Sequence, residues 1–267
     1  MSQIWNLVLF QPLVNGLIFL YKIFGNLGAA IIILTLVLRA ILIPLTMPSI
    51  EASKKMAELA PELEKLKKRY GGDKQKFAQV QMELYRQKKI NPAAGCLPQI
   101  IQLIILIALY QAFIQVLRIN GTEVIAKLNE ILYSPLRLPL ETKINLSFLY
   151  LDLSKPDVFR FSGMPIPGIF LILAALTQFL SSKMMQPAVK TQEKIAQKTE
   201  EKADDIATSM QSQMLYLFPL MTILIGFTFP SGLILYWFIF SLFQLSQQYF
   251  LSGWGGLTPW IEKIRKS

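Results

Sequence analysis

Arg39 is the one charged side chain in an apolar run from Ile23 to Ile50, a run long enough to cross a membrane. A guanidinium cannot shed its proton in a protein. A charge at that depth lies in a water-filled cavity or pairs with an opposite charge. The other long apolar runs of the chain hold no Asp or Glu. The chemistry open to Arg39 is therefore attraction, of water, of backbone carbonyls or of a polar or anionic group brought from outside. Insertion itself is affordable. Eleven Ile, Leu and Val residues lie between Ile31 and Leu45, and at about −0.3 to −0.6 kcal/mol each they outweigh about +2.5 to +3.5 for one central arginine. A leucine would insert better still, so the charge needs a reason. One reading is snorkelling: Thr46 is seven residues on, about 10 Å of helix, within reach of the head groups. The other is a functional polar cavity, which gives the charge a use.

Further polar side chains sit in the apolar runs: Thr35, Gln99, Gln102, Gln111, Gln115, Thr177, Gln178, Ser181, Thr222, Tyr236, Gln244 and Gln247. Any one of them is accounted for by an interhelical hydrogen bond of about 0.6 kcal/mol. Together with an arginine they suggest a wet groove between helices, with Thr35, Arg39, Gln102, Tyr236 and Gln244 as candidate lining. Tyr236, Trp237 and Phe238 read either as an aromatic belt or as part of that lining, since they lie within the last apolar run rather than at its end. Bond-making chemistry finds no equipment. The chain has no histidine and one cysteine, Cys96, so Ser-His-Asp and Cys-His arrangements, His- or Cys-rich metal sites and an internal disulfide are excluded. No Gly-rich phosphate loop occurs. No carboxylate pair lies in an apolar run, which argues against a proton relay of the acidic kind. Catalytic residues, cofactors and metals are expected to be none.

The elements that must hold these residues are membrane helices. Over 267 residues the chain is 53% hydrophobic with mean hydropathy +0.42, too apolar for a soluble domain of this size. Four regions are nearly free of charge: Ile23–Ile50, Ile90–Leu117, Phe161–Ser182 and Ile206–Ile261. The last holds 56 residues, too many for one helix of about 20, and Phe229-Pro230-Ser231-Gly232 breaks it where a turn is needed. Five spans are expected, over residues 27–46, 93–117, 165–185, 213–229 and 231–250, with Pro219 kinking the fourth. The fold class is an all-α membrane protein, a five-span helical bundle.

Charge sets the orientation. Met47–Pro92 holds eleven Lys and Arg, Lys183–Gln213 five and the tail from Leu251 three, 19 in all. The opposite side holds seven, Lys22 and six in Arg118–Met164. The positive-inside rule puts the 19 in the cytoplasm, which also explains the net charge of +10 without a nucleic acid partner. Residues 1–26 are expected to form an external interfacial amphipathic helix rather than a sixth span, because Gln11, Asn15 and Lys22 recur on one helical face. No basic start with a cleavage site is present, so a removable signal peptide is not expected. Nor does a cysteine near the start offer a lipid anchor.

Residues 47–92 read as a cytoplasmic helical hairpin. Met56, Leu59, Leu63, Leu66 and Tyr70 make one narrow stripe, Gly71-Gly72-Asp73 breaks the run and offers an N-cap, and Phe77, Val80 and Leu84 continue. Its excess of basic residues (eleven against six) suits anionic head groups. Residues 118–164 form an external loop, with an amphipathic helix over Thr122–Tyr133 through Val124, Ile125, Leu128 and Leu132. Residues 186–212 are a polar cytoplasmic loop and 251–267 a short cytoplasmic tail.

Several stretches are familiar as a set. They are LTLVLRAILIPLT from Leu34 to Thr46, NPAAGCLPQIIQLIILIALYQAF from Asn91 to Phe113, LDLSKPD from Leu151 to Asp157, LTQFLSSKMM from Leu176, FPSGLILYW from Phe229 to Trp237, and Gln247-Gln248. In this collinear order, over roughly residues 1–250, the chain resembles the YidC/Oxa/Alb family of membrane-protein insertases. The resemblance implies five spans around a hydrophilic groove, open to the cytoplasm and the lipid and closed outside. Its groove arginine matches Arg39, and family groove positions in the third and fifth spans match Gln178 and Trp237. The chain lacks the large external domain and extra span of many Gram-negative members and the lipoprotein cysteine of many Gram-positive ones. Its external loop is long and its basic tail (Lys263, Arg265, Lys266) short. The implied function is insertion and chaperoning of nascent membrane proteins in the plasma (inner) membrane of a bacterium. The lipid bilayer is a partner, and the ribosome, signal recognition components and the secretion channel are candidate partners; specific nucleic acid is not. An anion channel or small-solute transporter using Arg39 as selectivity charge is the alternative, and a passive assembly scaffold a third reading.

Overall fold

The computed structural model describes residues 3–70, 72–91, 97–117, 122–185 and 205–266. The chain is mostly helical and divides into two compact units. One comprises Met1–Leu42, Gln99–Leu176 and Leu220–Phe243, the other Ile43–Pro98, Thr177–Pro219 and Gln244–Ser267. Residues 186–204, most of the expected polar loop, and Cys96 lie outside the described residues.

The first helical stretch opens with one turn, Gln3–Trp5, and a π-helical turn, Asn6–Phe10, and continues as α1, Gln11–Phe24. Gly25 ends it with φ +64°, the left-handed C-terminal position where a Cβ would be costly. By length and composition Gln3–Phe24 is able to cross a membrane. Its polar stripe has a definite use. Asn15 Nδ2 donates to the carbonyl of Ile131 (3.1 Å) and its Oδ1 accepts from the amide of Tyr133 (2.7 Å). Gln11 Nε2 donates to the same carbonyl (3.0 Å), and Lys22 Nζ donates to the carbonyls of Pro135 and Arg137. The stripe thus satisfies the C-terminal end of α6, Thr122–Ile131, whose last carbonyls have no partner within the helix. As expected, α6 is amphipathic and buries Ile125 and Leu128, with Leu132 just after it.

The first apolar run forms α2, Leu27–Glu58, a single helix of 32 residues that carries Pro44 and Pro48 inside it. The expected end of the span at Thr46 is not a break; the helix runs on into the charged segment. The hairpin beyond it is α3, Ala60–Tyr70, packed against α4, Lys74–Gln87. Asp73 caps α4, its Oδ1 accepting from the amide of Lys76 at 3.0 Å, as the sequence predicts. Lys88 Nζ meets Glu62 Oε1 at 2.9 Å, and between exposed partners such a pair adds little.

The next helices are α5, Leu97–Leu117; α7, Ile169–Met184; α8, Asp205–Gly226, with Pro219 inside it; and α9, Ser231–Ser252. A short α10, Thr258–Lys266, follows. The expected break at Phe229–Ser231 is present. The helix of the third expected span, given from residue 165, begins at Ile169, and Met164–Pro167 before it is a β-strand. Two antiparallel hairpins that the sequence reading did not anticipate precede it: β1, Ser147–Phe148, with β2, Leu151–Asp152, and β3, Val158–Phe161, with β4, Met164–Pro167.

The segment between these hairpins, Leu153–Asp157, fixes the start of two helices. Asp157 is 3% exposed. Its Oδ2 accepts from the amide of Leu171 (2.8 Å) in the first turn of α7 and its Oδ1 from the Tyr150 hydroxyl (2.9 Å). That hydroxyl accepts in turn from the amide of Phe170 (3.2 Å). A carboxylate at a helix N-terminus meets both orphan amides and the positive end of the helix dipole. A Cβ at Gly168 would run into the Asp157 carboxyl, so the close approach requires glycine. At α9 the amides of Ser231 and Gly232 donate to the carbonyls of Lys155 (2.7 Å) and Leu153 (3.1 Å), and Ser231 Oγ donates to the carbonyl of Asp152 (2.8 Å). Burial alone would raise the Asp152 carboxyl, but hydrogen bonds from Lys155 and Ser154 outweigh it and hold it below its ordinary value. The core of this unit is continuous from Leu13, Leu17 and Ile18 of α1 through Leu109 and Phe113 of α5 to Leu233 and Tyr236 of α9.

Candidate functional site

Arg39 projects from α2 one turn beyond Thr35, and residues four apart share a helix face. Thr35 is buried, and its hydroxyl donates to the carbonyl of Ile31 at 2.6 Å, a bond back onto its own helix. Arg39 is only 8% exposed. Its guanidinium carbon lies 3.5 Å from the centroid of the Phe240 ring and 5.9 Å from that of Phe243. The charge thus has an aromatic platform beneath it. The physical reason is that a ring face carries partial negative charge, and a desolvated guanidinium over it gains about 2 kcal/mol. This lets α2 hold a charge at that level.

The platform belongs to a chain of contacts across three helices. The Tyr236 ring lies 5.9 Å from Phe240, one turn away on α9, and 6.4 Å edge-on from Phe113 of α5. The Tyr236 hydroxyl accepts from Gln102 Nε2 of α5 at 2.9 Å. A buried phenol and a half-buried amide among apolar helices need partners, and here they supply each other. Gln102, Tyr236, Phe240 and Arg39 thus form a continuous line from α5 through α9 to α2, within one compact unit.

Trp237, Gln178 and Gln244 have the following settings. Trp237 is half-buried and packs on Leu171, Ala174 and Ile234. One residue on from Tyr236 turns a side chain by about 100°, so the two rings serve different faces of α9. Gln178 is half-buried on α7 and belongs, with Gln244, to the second unit. There Gln244 Nε2 approaches the Met185 sulfur at 3.9 Å, and Gln247 Nε2 donates to Thr46 Oγ1 at 3.4 Å. The structure thus joins Arg39, Tyr236 and Gln102, with Thr35 on the same face of α2 as Arg39. Sequence reasoning missed Phe240. Its signal was its place four residues after Tyr236, which puts both rings on one helix face. Among the described residues no cluster of His, Cys, Asp or Glu is arranged to hold a metal ion.

Comparison with known proteins bears on what this arrangement serves. A family model described as 60Kd inner membrane protein matches residues 19–254. The chain is 37% identical over 251 residues to the "Membrane protein insertase YidC" of Fusobacterium nucleatum subsp. nucleatum, covering 94% of this chain and 98% of that protein. It is 31% identical over 247 residues to the protein of the same name from Oleidesulfovibrio alaskensis, covering 92% of this chain but 39% of the relative. The chain thus spans nearly the whole of one curated relative and about two fifths of the other. Among solved structures, "Active YidC insertase crystal structure with the first transmembrane domain resolved" matches with TM-score 0.55 and 24% identity, over 94% of this chain and 47% of that one, a likeness of fold. By the extent of the family match and by the full-length relative, the chain belongs to the 60Kd inner membrane protein family, the family of the YidC membrane-protein insertases.

Proposed function

We propose that the chain takes polar flanks of nascent membrane proteins into a groove beside Arg39 and releases their apolar segments sideways into the bilayer, as insertase and chaperone. The observation that carries this reading is the seating of Arg39 on Phe240 inside an apolar helix. Polar groups moved into lipid without partners cost several kcal/mol each. A cation on a ring face gains about 2 kcal/mol. A hydrogen bond between a charged and a polar group contributes about 1.5–3 kcal/mol. The two are close, so an incoming acidic or polar flank can exchange with the ring, and the ring can take the charge back when the flank leaves. Trp237 and Gln178 would line the path of the substrate, and Gln244 its entrance. The apolar segment leaves because transfer to lipid at about 25 cal/mol per Å² favours it, so no nucleotide site is required. The charged hairpin α3–α4 would receive substrate on the cytoplasmic side of a bacterial plasma membrane, with five spans, residues 1–26 lying along the outer surface and the C-terminus inside. The ribosome, signal recognition components and the secretion channel are candidate partners.

The test is insertion into vesicles by the purified chain, comparing Arg39→Ala with Arg39→Lys on substrates whose crossing flank is acidic or neutral. The alanine form should lose on the order of tenfold in rate on the acidic flank, as expected when about 1.4 kcal/mol is removed, and the lysine form should keep most of it. Equal full activity of the alanine form would overturn the role of the charge. Steady anion flux through the same vesicles without any polypeptide would instead favour an anion channel.

A further inference from the structure

The β3–β4 hairpin carries an apolar face whose tip is left uncovered among the described residues. Its register pairs Phe159 with Ile166 and Phe161 with Met164. Directly opposed residues of an antiparallel pair lie on one face, so these four side chains form one side of the ribbon. Arg160 and Pro165 occupy the other side. Exposure climbs toward the tip, from 46% and 41% at Phe159 and Ile166 to 70% and 66% at Phe161 and Met164. The turn, Ser162-Gly163, has both φ angles positive (49° and 82°), the tight connection suited to two-residue hairpins. An isolated two-stranded hairpin is marginal in water, and an apolar face of this kind marks a surface that meets something.

What it meets is indicated by where it is fixed. Phe159 stacks on Tyr150 at 5.6 Å, and Tyr150 stacks on Phe170 at 5.9 Å, so the ribbon is tied to the first turn of α7. From that turn α7 presents Ile169, Ile172 and Leu176, all exposed, at helical spacing on one face. In a membrane protein, an apolar stripe of this kind on an apolar helix faces lipid tails. The helix has only 16 residues, about 24 Å at 1.5 Å per residue, which is short of a hydrocarbon core of about 30 Å. The hairpin extends the same apolar surface past the end of a helix too short to fill the bilayer.

We propose that the β3–β4 hairpin is a lipid-seated wedge: Phe161 and Met164 enter the acyl boundary beside α7, and Arg160 on the opposite face meets lipid phosphates. The wedge sets the depth at which α7 sits. This depends on membrane residence alone and stands apart from the reading of Arg39.

Spin labels test it in the full chain with Cys96→Ser, reconstituted in phosphatidylethanolamine–phosphatidylglycerol vesicles. Labels are placed singly through Phe161→Cys, Met164→Cys, Arg160→Cys and Pro165→Cys. Labels at 161 and 164 should collide more with oxygen, which concentrates in lipid, than with a water-soluble nickel chelate, and the label at 160 should show the reverse. Adding Phe161→Asp to the protein labelled at 164 should swing that label toward the nickel reagent. Equal nickel exposure at all four positions would overturn the proposal. So would shielding of 161 and 164 from both reagents, the mark of a protein partner or a second copy of the chain.

Discussion

Two buried charged side chains of the same compact unit are held in opposite ways. Asp157 is gripped by directional bonds from the Tyr150 hydroxyl and the Leu171 amide, with Gly168 leaving room for its carboxyl. Arg39 is seated on the Phe240 ring, and a ring face imposes little direction. A group bound by converging donors cannot turn to another partner without leaving those donors stranded. Asp157 is thus suited to fixing where α7 begins, whereas Arg39 is the residue that the proposed function brings against a visiting polar flank.

The comparison breaks first at Asp157. Asp157→Ala should cost about 1–3 kcal/mol for the buried Leu171 amide that it strands, with less at the exposed Tyr150 residue. The check is thermal unfolding of the purified protein in detergent, with insertion falling alike for every substrate. Gly168→Ala should act in the same direction, because its Cβ meets the Asp157 carboxyl. The contrast is with Arg39→Ala, which removes a cation–ring contact of about 2 kcal/mol together with the cost of burying the charge, and so should lower the unfolding temperature less than Asp157→Ala while insertion falls selectively for acidic flanks. If Arg39→Ala unfolds the protein as Asp157→Ala does, the distinction between gripped and seated charges fails.

A smaller effect sharpens the same point. Phe240→Leu keeps an apolar side chain but removes the platform, and should cost about 2 kcal/mol of cation–ring contact along with some ring packing on Tyr236. Its insertion defect should be milder than that of Arg39→Ala, since the charge remains. The smallest effect is expected at the exposed pair Lys155–Asp152 (2.8 Å). Pairing holds the Asp152 carboxyl below its ordinary value and the Lys155 amine above its own. The carboxyl's share of stability is therefore present above the unfolded value near pH 4 and is lost as pH falls through the folded one. The amine's share is present below its unfolded value near 10.4 and is lost as pH rises through the folded one. Lys155→Met should flatten both shallow ends of the stability profile and leave neutral pH almost unchanged, as followed by unfolding across pH.

Much of the helical frame was legible because its signals are local. The break at Phe229-Pro230-Ser231-Gly232 and the Asp73 cap follow from residue types that cannot continue, or that begin, a helix. The stripe of Gln11, Asn15 and Lys22 was visible as well, although its partners were not, since Ile131 and Tyr133 lie more than a hundred residues away. The two hairpins escaped notice. Their strands are two to four residues long, too short for alternation to stand out, although Ser162-Gly163 between Val158–Phe161 and Met164–Pro167 carried a turn signal. The place of Arg39 was legible only in part. An apolar run with one charge announces a special residue, but which of several rings in a span will lie under it depends on how helices meet. Gln178 and Trp237 are assigned to the groove by resemblance and Gln244 by polarity, and neither property alone reports which face of a helix a side chain takes.

The bonding of Asn15 gives α1 a reach far beyond its own neighbours in sequence. One side-chain amide answers both the carbonyl of Ile131 and the amide of Tyr133, so the first helix acts as a splint for a stretch of backbone that is synthesised much later. Shaving that helix away would leave the later stretch with bare polar ends. Limited proteolysis of a shortened chain should then nick near Ile131–Arg137 before it touches any of the long helices.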